Sequence, residues 1–202
     1  MIFKNIPNAL TILRILGVMI IFFITPFSSN LMQITALIIF AVCWLTDLVD
    51  GWVARKFNLV SDFGKLMDPL ADKILVLIFL PLIQMQVILP LPVFIILLRE
   101  YLIMAIRVLA AKKGQIIAAN NLAKFKTGLT LILCFILLAR VQAQNIALPI
   151  YLKIFNVFNI WVQSWPQIYI TILIWSTVLI TLWSFFDYLI AYLKPQKNES
   201  KS

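Results

Sequence analysis

The chain has 202 residues, of which 63% are hydrophobic and 12% are charged. An average soluble domain carries about 25% charged and 45–50% apolar residues, so this composition excludes an ordinary soluble globular protein and favours one that lies in lipid. The formal net charge is +9, but the basic residues border apolar runs instead of forming one soluble basic face, which argues against nucleic-acid binding.

Taken in chain order, the apolar runs are each about 20 residues long, which is the length that crosses a bilayer as a helix. Prolines or polar residues separate them. They predict six transmembrane helices, over residues 8–27, 31–54, 67–88, 91–111, 122–141 and 166–192. The predicted fold is an all-α integral membrane protein, with one six-helix transmembrane domain over residues 1–193 and a short basic tail over residues 194–202.

The basic residues predict the orientation of these helices. Only Arg140 and Lys153 fall on one side of the six-span arrangement, whereas the rest of the basic residues that border the spans fall on the other. The positive-inside rule places the basic side, with both termini, in the cytoplasm. We therefore expect a multi-pass protein of the cytoplasmic (inner) membrane, whose basic collar faces anionic lipid headgroups.

The second predicted helix carries carboxylates at its cytoplasmic end. It reaches Asp47 and Asp50 without a helix breaker, so we expect it to continue past the bilayer surface. Asp47, Asp50, Gly51 and Ala54 stand at offsets of about 0, 3, 4 and 7, which place them on one face of a helix. Ionisable residues at a membrane segment are costly and usually functional, and the two small residues leave room beside them for a phosphate or a nucleotide.

A second stripe follows on the third predicted helix. Gly64, Asp68 and Asp72 are spaced four residues apart, so they also share one helix face. The link over residues 56–62 is long enough for a tight reversal, which lets the two stripes face each other at the cytoplasmic membrane surface. Gly64 either leaves room for a phosphate in the same way or lets the two helices approach closely.

Four carboxylates brought together in this way repel one another unless some of them are protonated or a cation is present. Mg²⁺ and Mn²⁺ prefer oxygen ligands and often complete their shells with substrate phosphates, and two such ions can clamp a displacement at phosphorus. In the alternative interpretation the carboxylates are structural. Asp47 and Asp50 would then pair with Arg55 at a helix end, and Asp68 would cap a helix that begins at Pro69.

The two stripes together resemble the signature of the CDP-alcohol phosphatidyltransferase family, since all eight specified positions match: Asp47-x2-Asp50-Gly51-x2-Ala54-Arg55-x8-Gly64-x3-Asp68-x3-Asp72. The resemblance implies six transmembrane helices, a homodimer and a requirement for Mg²⁺ or Mn²⁺. It implies transfer of a phosphatidyl group from CDP-diacylglycerol to a small alcohol, with release of CMP.

The same resemblance implies roles for individual residues. Asp47, Asp50 and Asp68 would ligate metal, and Asp72 would be the catalytic base, near or on the second metal. Gly51, Ala54 and Arg55 would contact the CDP group, with Gly64 beside them. Asn8, Thr11 and Ser61 are further candidates for polar contacts to the CDP group, with helix capping at the membrane surface as the alternative for each.

Further stretches are similar to the branch of this family that uses glycerol 3-phosphate as acceptor: residues 5–14, residues 67–73, Arg99-Glu100 with Arg107, and residues 122–127. The acceptor phosphate is dianionic and requires cations. Arg107, Lys124 and Lys126 lie where the fourth and fifth predicted helices meet the cytoplasmic surface, so we expect them to bind this phosphate. The alternative for the two lysines is anchoring of a helix end at lipid headgroups.

Two neighbouring charges lie deeper in the fourth predicted helix. Arg99 and Glu100 point about 100° apart on a helix, so we expect them to pair with other helices and not with each other, in a role that is either functional or wholly structural. The chain has no histidine, so the commonest general base is absent and a carboxylate must serve if a base is needed.

Three other functions are consistent with parts of this pattern. Another member of the same family, such as a cardiolipin synthase that uses phosphatidylglycerol, would differ only in its acceptor. A divalent-cation transporter would use the aspartates as a transport site, but such sites lie near the bilayer midplane, whereas these carboxylates fall at one surface. A structural subunit would leave the carboxylate cluster without a reason.

Overall fold

The computed structural model describes residues 6–27, 30–57, 73–112, 121–141 and 153–193, and the regular structure within these ranges is entirely helical. We number seven helices there, α1 (Ile6–Ile24), α2 (Asn30–Phe57), α3 (Phe79–Gln84), α4 (Pro90–Lys112), α5 (Asn121–Val141), α6 (Lys153–Gln163) and α7 (Gln167–Leu193), and residues 73–76 are also helical. Leu122–Val141 and Gln167–Leu193 are long and apolar enough to cross a membrane by length and composition. The predicted all-helical fold is confirmed for the described residues.

The first two helices form an antiparallel pair. α2 has 28 residues, which corresponds to about 42 Å of helix, so the prediction that it continues through the carboxylate segment is confirmed. Gly17 of α1 lies against α2 so closely that a Cβ built on it would stand 2.7 Å from Cys43 Sγ and 3.2 Å from Ile39 Cγ2. Small residues at such contacts allow helix backbones to approach in a membrane, where packing replaces the hydrophobic effect.

The third predicted helix, residues 67–88, is corrected by the structure. Its first six residues lie outside the described ranges, and the rest is not one continuous helix. Residues 73–76 are helical, a turn follows at Leu77 and Ile78, and α3 then has six residues. Pro81 has no N–H to donate to Leu77 O, and this oxygen instead accepts a hydrogen bond from Leu80 N at 2.9 Å.

The C-terminus of α3 is closed by a Schellman motif. Val87 N donates to Leu82 O at 3.0 Å and Gln86 N donates to Ile83 O at 2.9 Å, the paired bonds that define this motif. Gln86 has φ 58°, so it occupies the left-handed position that glycine usually takes. Pro90 and Pro92 then fall in the first turn of α4, where a missing N–H costs nothing.

The remaining long helices form a bundle in which α7 packs against both α4 and α5, and α5 also contacts α2. The buried face of α7 is a stripe with three- and four-residue spacing: Ile170, Ile174, Thr177, Val178, Thr181, Ser184 and Tyr188. The C-terminal half of this stripe is mostly polar. This stripe brings hydroxyl groups against charged residues of α4, and it therefore positions the site described below.

Helix α6 lies between the fifth and sixth predicted helices, where the sequence analysis predicts no helix. It joins a row of aromatic contacts, with ring-centroid distances of 6.3 Å for Phe40–Phe135, 5.4 Å for Phe135–Phe158, 6.1 Å for Phe158–Trp161 and 4.8 Å for Trp161–Trp165. The turn after α6 is held by Arg140, which donates to Trp165 O at 3.2 Å and to Gln167 Oε1 at 3.0 Å. A helix of 11 residues is shorter than the run of about 20 apolar residues that indicates a membrane span, so hydropathy does not reveal it.

Candidate active site

The first part of the predicted site lies on the C-terminal part of α2. Asp47, Asp50, Gly51, Ala54 and Arg55 all belong to one uninterrupted helix. Asp47, Asp50, Gly51 and Ala54 are spaced by about 3, 1 and 3 positions, so they occupy one face of this helix. The side chains of residues 47–57 are outside the described part of the structure, and the helix position is therefore what the structure contributes for these residues.

The second predicted stripe lies outside the described residues. This applies to Ser61, Gly64, Asp68 and Asp72, whose roles stay predictions. Among the described side chains, no group of three or more His, Cys, Asp or Glu residues is placed to hold a metal ion. The donor chemistry nevertheless fits: α2 presents two carboxylates one turn apart on one face, and carboxylate oxygens are the ligands that Mg²⁺ and Mn²⁺ prefer.

Two candidates for CDP contacts belong to α1. Asn8 lies in its first turn, and its side chain is outside the described part of the structure. Thr11 is buried in the described structure. The prediction that these residues contact the CDP group is not tested by these positions.

A cavity of about 210 Å³ lies between residues 73–76, α4 and α5. It collects charged side chains from three separate parts of the chain, and its lining consists of Lys73, Leu75, Val76, Arg99, Glu100, Ile103, Arg107, Ala123, Lys124, Lys126, Thr127, Thr130 and Leu131. All three residues predicted to bind the acceptor phosphate therefore line one cavity. Two further cations, Lys73 and Arg99, line it as well.

Glu100 is the hub of this cavity. Its Oε2 accepts a hydrogen bond from Lys73 Nζ, and its Oε1 accepts one from Lys126 Nζ. Arg99 Nη1 donates to Oε1 at 3.2 Å. The side chains of Lys126 and Glu100 are 1% and 5% exposed, and a charged pair so deeply buried is stable only when it is well hydrogen-bonded.

The pairing expected for Arg99 and Glu100 is half right. Each does pair with other helices: Glu100 binds Lys126, and Arg99 Nη2 donates to Ser184 Oγ of α7 at 2.6 Å. They also contact each other, which was not expected. The guanidinium is long and forked, so that one nitrogen reaches Ser184 while the other reaches the neighbouring carboxylate.

The structure separates the two lysines that were treated as one pair. Lys124 is exposed at the mouth of the cavity, whereas Lys126 is buried on its wall. Arg107 is exposed and donates from Nη2 to the hydroxyl of Tyr188 at 2.6 Å. Its Cζ also lies 5.2 Å from the centroid of the Tyr188 ring, within the range of a cation–π interaction.

Sequence reasoning missed Ser184 and Tyr188. Tyrosine in a membrane protein commonly lies at the membrane–water interface, yet Tyr188 is buried and contacts two arginines. A usable signal was present in the sequence. Thr177, Thr181, Ser184 and Tyr188 recur every three or four residues in an otherwise apolar span, and polar groups on one face of a membrane helix need polar partners.

The cavity is thus suited to a small anionic ligand. Five cationic side chains and one carboxylate line it. A phosphate monoester carries nearly two negative charges at neutral pH and three strong acceptor oxygens, which such a lining can neutralise and bind.

Residues 4–183 match the sequence model of a protein family described as CDP-alcohol phosphatidyltransferase. Three similar bacterial proteins carry the name CDP-diacylglycerol–glycerol-3-phosphate 3-phosphatidyltransferase. The one from Rickettsia bellii is 34% identical over 82% of this chain and 90% of its own length. The one from Haemophilus influenzae is 33% identical over 92% of this chain and 91% of its own length. The one from Bacillus subtilis is 36% identical over 61% of this chain and 70% of its own length.

Proposed function

The chain belongs to the CDP-alcohol phosphatidyltransferase family, and on this premise we propose that it transfers the phosphatidyl group of CDP-diacylglycerol to glycerol 3-phosphate, releasing CMP in phospholipid biosynthesis. The product is phosphatidylglycerophosphate, the precursor of phosphatidylglycerol. Relatives that carry this activity in their names match most of the chain.

The observation that supports the choice of acceptor is the cationic cavity. Arg99, Arg107 and Lys126 line it, together with Lys73 and Lys124. Glycerol 3-phosphate is small enough for a cavity of about 210 Å³, and its dianionic phosphate needs more cationic partners than the single carboxylate of an acceptor such as serine.

We propose that this cavity holds the phosphate while the acceptor's 1-hydroxyl points toward the aspartate motif. Asp72 directly precedes Lys73 in the sequence, and Lys73 lines the cavity. The hydroxyl oxygen forms a bond to the β-phosphorus of CDP-diacylglycerol as the bond from that phosphorus to the bridging oxygen of CMP breaks. Asp72 accepts the hydroxyl proton, and CMP leaves with the electrons of the broken bond.

The carboxylates of Asp47, Asp50, Asp68 and Asp72 would hold Mg²⁺ or Mn²⁺, as two ions. When bound, these ions neutralise the negative charge of the pyrophosphate, which is the main electrostatic obstacle to displacement at phosphorus. Gly51, Ala54 and Arg55 would contact the CDP group, and Gly64 would leave room beside them. Asn8, Thr11 and Ser61 are proposed as further polar contacts.

The family and its relatives are membrane enzymes, and two described helices are long and apolar enough to span a bilayer. We propose the finer arrangement as well: six spans in the cytoplasmic (inner) membrane, both termini and the active site on the cytoplasmic side, and a homodimer. The basic residues near the cavity support this orientation, because the positive-inside rule places them in the cytoplasm.

The experiment that tests this function is a CMP-release assay with the purified full-length protein, CDP-diacylglycerol and a divalent cation. Glycerol 3-phosphate, phosphatidylglycerol, serine and inositol phosphate are supplied separately, and each lipid product is identified by mass spectrometry. We expect CMP release with glycerol 3-phosphate, loss of release with a chelator, and recovery on adding Mg²⁺ or Mn²⁺. Release driven only by phosphatidylglycerol would identify the protein as a cardiolipin synthase instead.

A further inference from the structure

Tyr188 lies against two of the arginines that line the cationic cavity. It is buried at 2% exposure on α7, and it contacts two guanidinium groups of α4. Its hydroxyl accepts a hydrogen bond from Arg107 at 2.6 Å. The Cζ atoms of Arg107 and Arg99 lie 5.2 Å and 5.8 Å from its ring centroid, and both distances are within the range of a cation–π interaction.

Arg107 differs from three other cations of the cavity in what holds it. Lys73, Arg99 and Lys126 all pair with Glu100, whose negative charge offsets theirs. The interaction shown for Arg107 within the described part of the chain is with a neutral phenol. A phenol fixes the direction of the guanidinium, but it does not cancel the guanidinium charge as a carboxylate would.

The position of Tyr188 follows from the polar stripe of α7. Ser184 lies four residues earlier on the same face and holds Arg99 through a bond of 2.6 Å. One helix face therefore holds both arginines of α4, with a different group for each. Arg107 is the more accessible of the two, because it is exposed whereas Arg99 is buried.

We propose that Tyr188 is a positioning residue for the acceptor: it aims Arg107 into the cavity and leaves its positive charge available for the acceptor phosphate. This inference rests on the function proposed above. An arginine held in advance loses less conformational entropy when it binds its ligand, so that the hydroxyl of Tyr188 contributes to acceptor affinity without touching the acceptor.

The test compares three single substitutions in the purified full-length enzyme. Tyr188→Phe keeps the ring and removes the hydrogen bond, whereas Tyr188→Leu removes both. Tyr169→Phe is the matched control, since Tyr169 lies at the opposite end of α7 and is 57% exposed. The KM for glycerol 3-phosphate is measured at saturating CDP-diacylglycerol, and the KM for CDP-diacylglycerol at saturating glycerol 3-phosphate.

We expect Tyr188→Phe to raise the KM for glycerol 3-phosphate by about 5-fold, which is the size expected when one hydrogen bond of ordinary net strength is lost. The KM for CDP-diacylglycerol should stay within about 2-fold, since the phenol acts on the acceptor side alone. Tyr188→Leu should raise the acceptor KM further, and Tyr169→Phe should change neither value. Equal effects of Tyr188→Phe on both substrates, or no effect on either, would overturn the proposal.

A double substitution asks whether Tyr188 acts through Arg107. In an Arg107→Ala enzyme, adding Tyr188→Phe should raise the acceptor KM by less than about 2-fold, because the group that the phenol positions is already gone. Fully additive effects would contradict positioning through Arg107. A wild-type protein whose CMP release does not depend on glycerol 3-phosphate would defeat the proposed function, and the positioning role with it. Dependence in the wild type with an unchanged Tyr188→Phe enzyme would defeat the positioning role alone.

Discussion

Glu100 is one carboxylate that serves three cations. Lys73, Arg99 and Lys126 reach it from two neighbouring segments and from its own helix, and Lys126 and Glu100 are almost fully buried. Removal of one partner from a buried ion pair costs more than the pair itself contributes, because the remaining charge stays buried and uncompensated. The two kinds of removal are therefore unequal: loss of Glu100 leaves several cations together, whereas loss of one lysine leaves a carboxylate that still has two partners.

This inequality gives a stability prediction. We expect Glu100→Gln to lower the free energy of unfolding by about 3 kcal/mol, and Lys126→Met by about 1 kcal/mol, since the methionine keeps most of the buried chain. Thermal unfolding of the two variants in the same detergent measures the order. A Lys126→Met variant that unfolds at a lower temperature than Glu100→Gln would show that Glu100 is not the hub.

The aspartates make separable predictions. Asp50→Asn removes a proposed charged ligand while keeping its shape, so we expect metal affinity and activity to fall together. Asp72→Asn should lower kcat by about 10²–10⁴, the usual contribution of a general base, while CDP-diacylglycerol still binds. Titration of Mn²⁺ and CDP-diacylglycerol onto each variant distinguishes the roles. If Asp72→Asn loses metal and nucleotide as completely as Asp50→Asn does, then Asp72 is a ligand first and the base lies elsewhere.

At the scale of single residues, the sequence predicted the charged residues of the cavity better than it predicted the residues that position them. Arg107, Lys124 and Lys126 were expected in one place, and they do line one cavity. Tyr188 was not expected beside them, because Arg107, to which it is hydrogen-bonded, lies 81 residues earlier in the chain. The polar stripe of α7 shows that this face needs polar partners, but it does not show which helix supplies them.

At the scale of helices, the close packing of α1 against α2 depends on Gly17. A Cβ at Gly17 would lie 2.7 Å from Cys43 Sγ, whereas one at Gly128 of α5 would have no other atom within 4 Å. Both residues are helical, so alanine gains about 1 kcal/mol of helix propensity at either position. Only at Gly17 does it meet a packed neighbour.

We therefore expect opposite signs for the two substitutions. Gly128→Ala should raise the free energy of unfolding by up to about 1 kcal/mol, and Gly17→Ala should lower it by about 1–2 kcal/mol, because overpacking outweighs the propensity gain. Thermal unfolding of both variants in one detergent is the measurement. A stabilised Gly17→Ala protein would mean that α1 and α2 can separate at this contact without loss.

The end of α3 offers a second test at this scale. Gln86 holds φ 58° in a Schellman motif, and this left-handed conformation costs a side-chain-bearing residue about 1–2 kcal/mol. Gln86→Gly should raise stability by about 0.5 kcal/mol after the greater entropy of glycine in the unfolded chain is counted. Gln86→Val should lower it, because branching at Cβ disfavours positive φ. Equal stabilities for the glycine and valine variants would contradict the assigned turn.

The long helices were predictable because length and hydropathy are properties of the segment itself. α2, α4, α5 and α7 begin and end within a few residues of the expected bounds. The break before α3 was missed because Pro81 and Leu77 are both apolar, so a hydropathy pattern shows no interruption there. α6 was missed for the complementary reason: it is amphipathic and has only 11 residues, so it resembles a loop to any search for spans.

At the scale of the whole molecule, the proposed orientation can be tested by labelling introduced cysteines, because the two natural cysteines should contribute little background labelling. Cys43 and Cys134 are both buried, so a membrane-impermeant thiol reagent should react slowly with the wild type. Ser164 and Lys112 are exposed at opposite ends of the described bundle. We expect Ser164→Cys to be labelled from outside intact cells and Lys112→Cys only after the membrane is opened. The reverse pattern would invert the proposed topology.

The charged centre of α4 also has a consequence for how the protein is made. Each charged residue at the middle of a membrane helix opposes insertion by roughly 2.5–3.5 kcal/mol, and α4 carries Arg99 and Glu100 together. Two of their partners, Lys126 of α5 and Ser184 of α7, leave the ribosome 26 and 85 residues later, whereas Lys73 has already emerged. In the proposed membrane arrangement, α4 therefore enters the lipid with only part of its polar contacts in place, and the contact with Ser184 forms last. We therefore expect a chain that stops short of Ser184 to hold α4 less stably in the membrane than the full chain does.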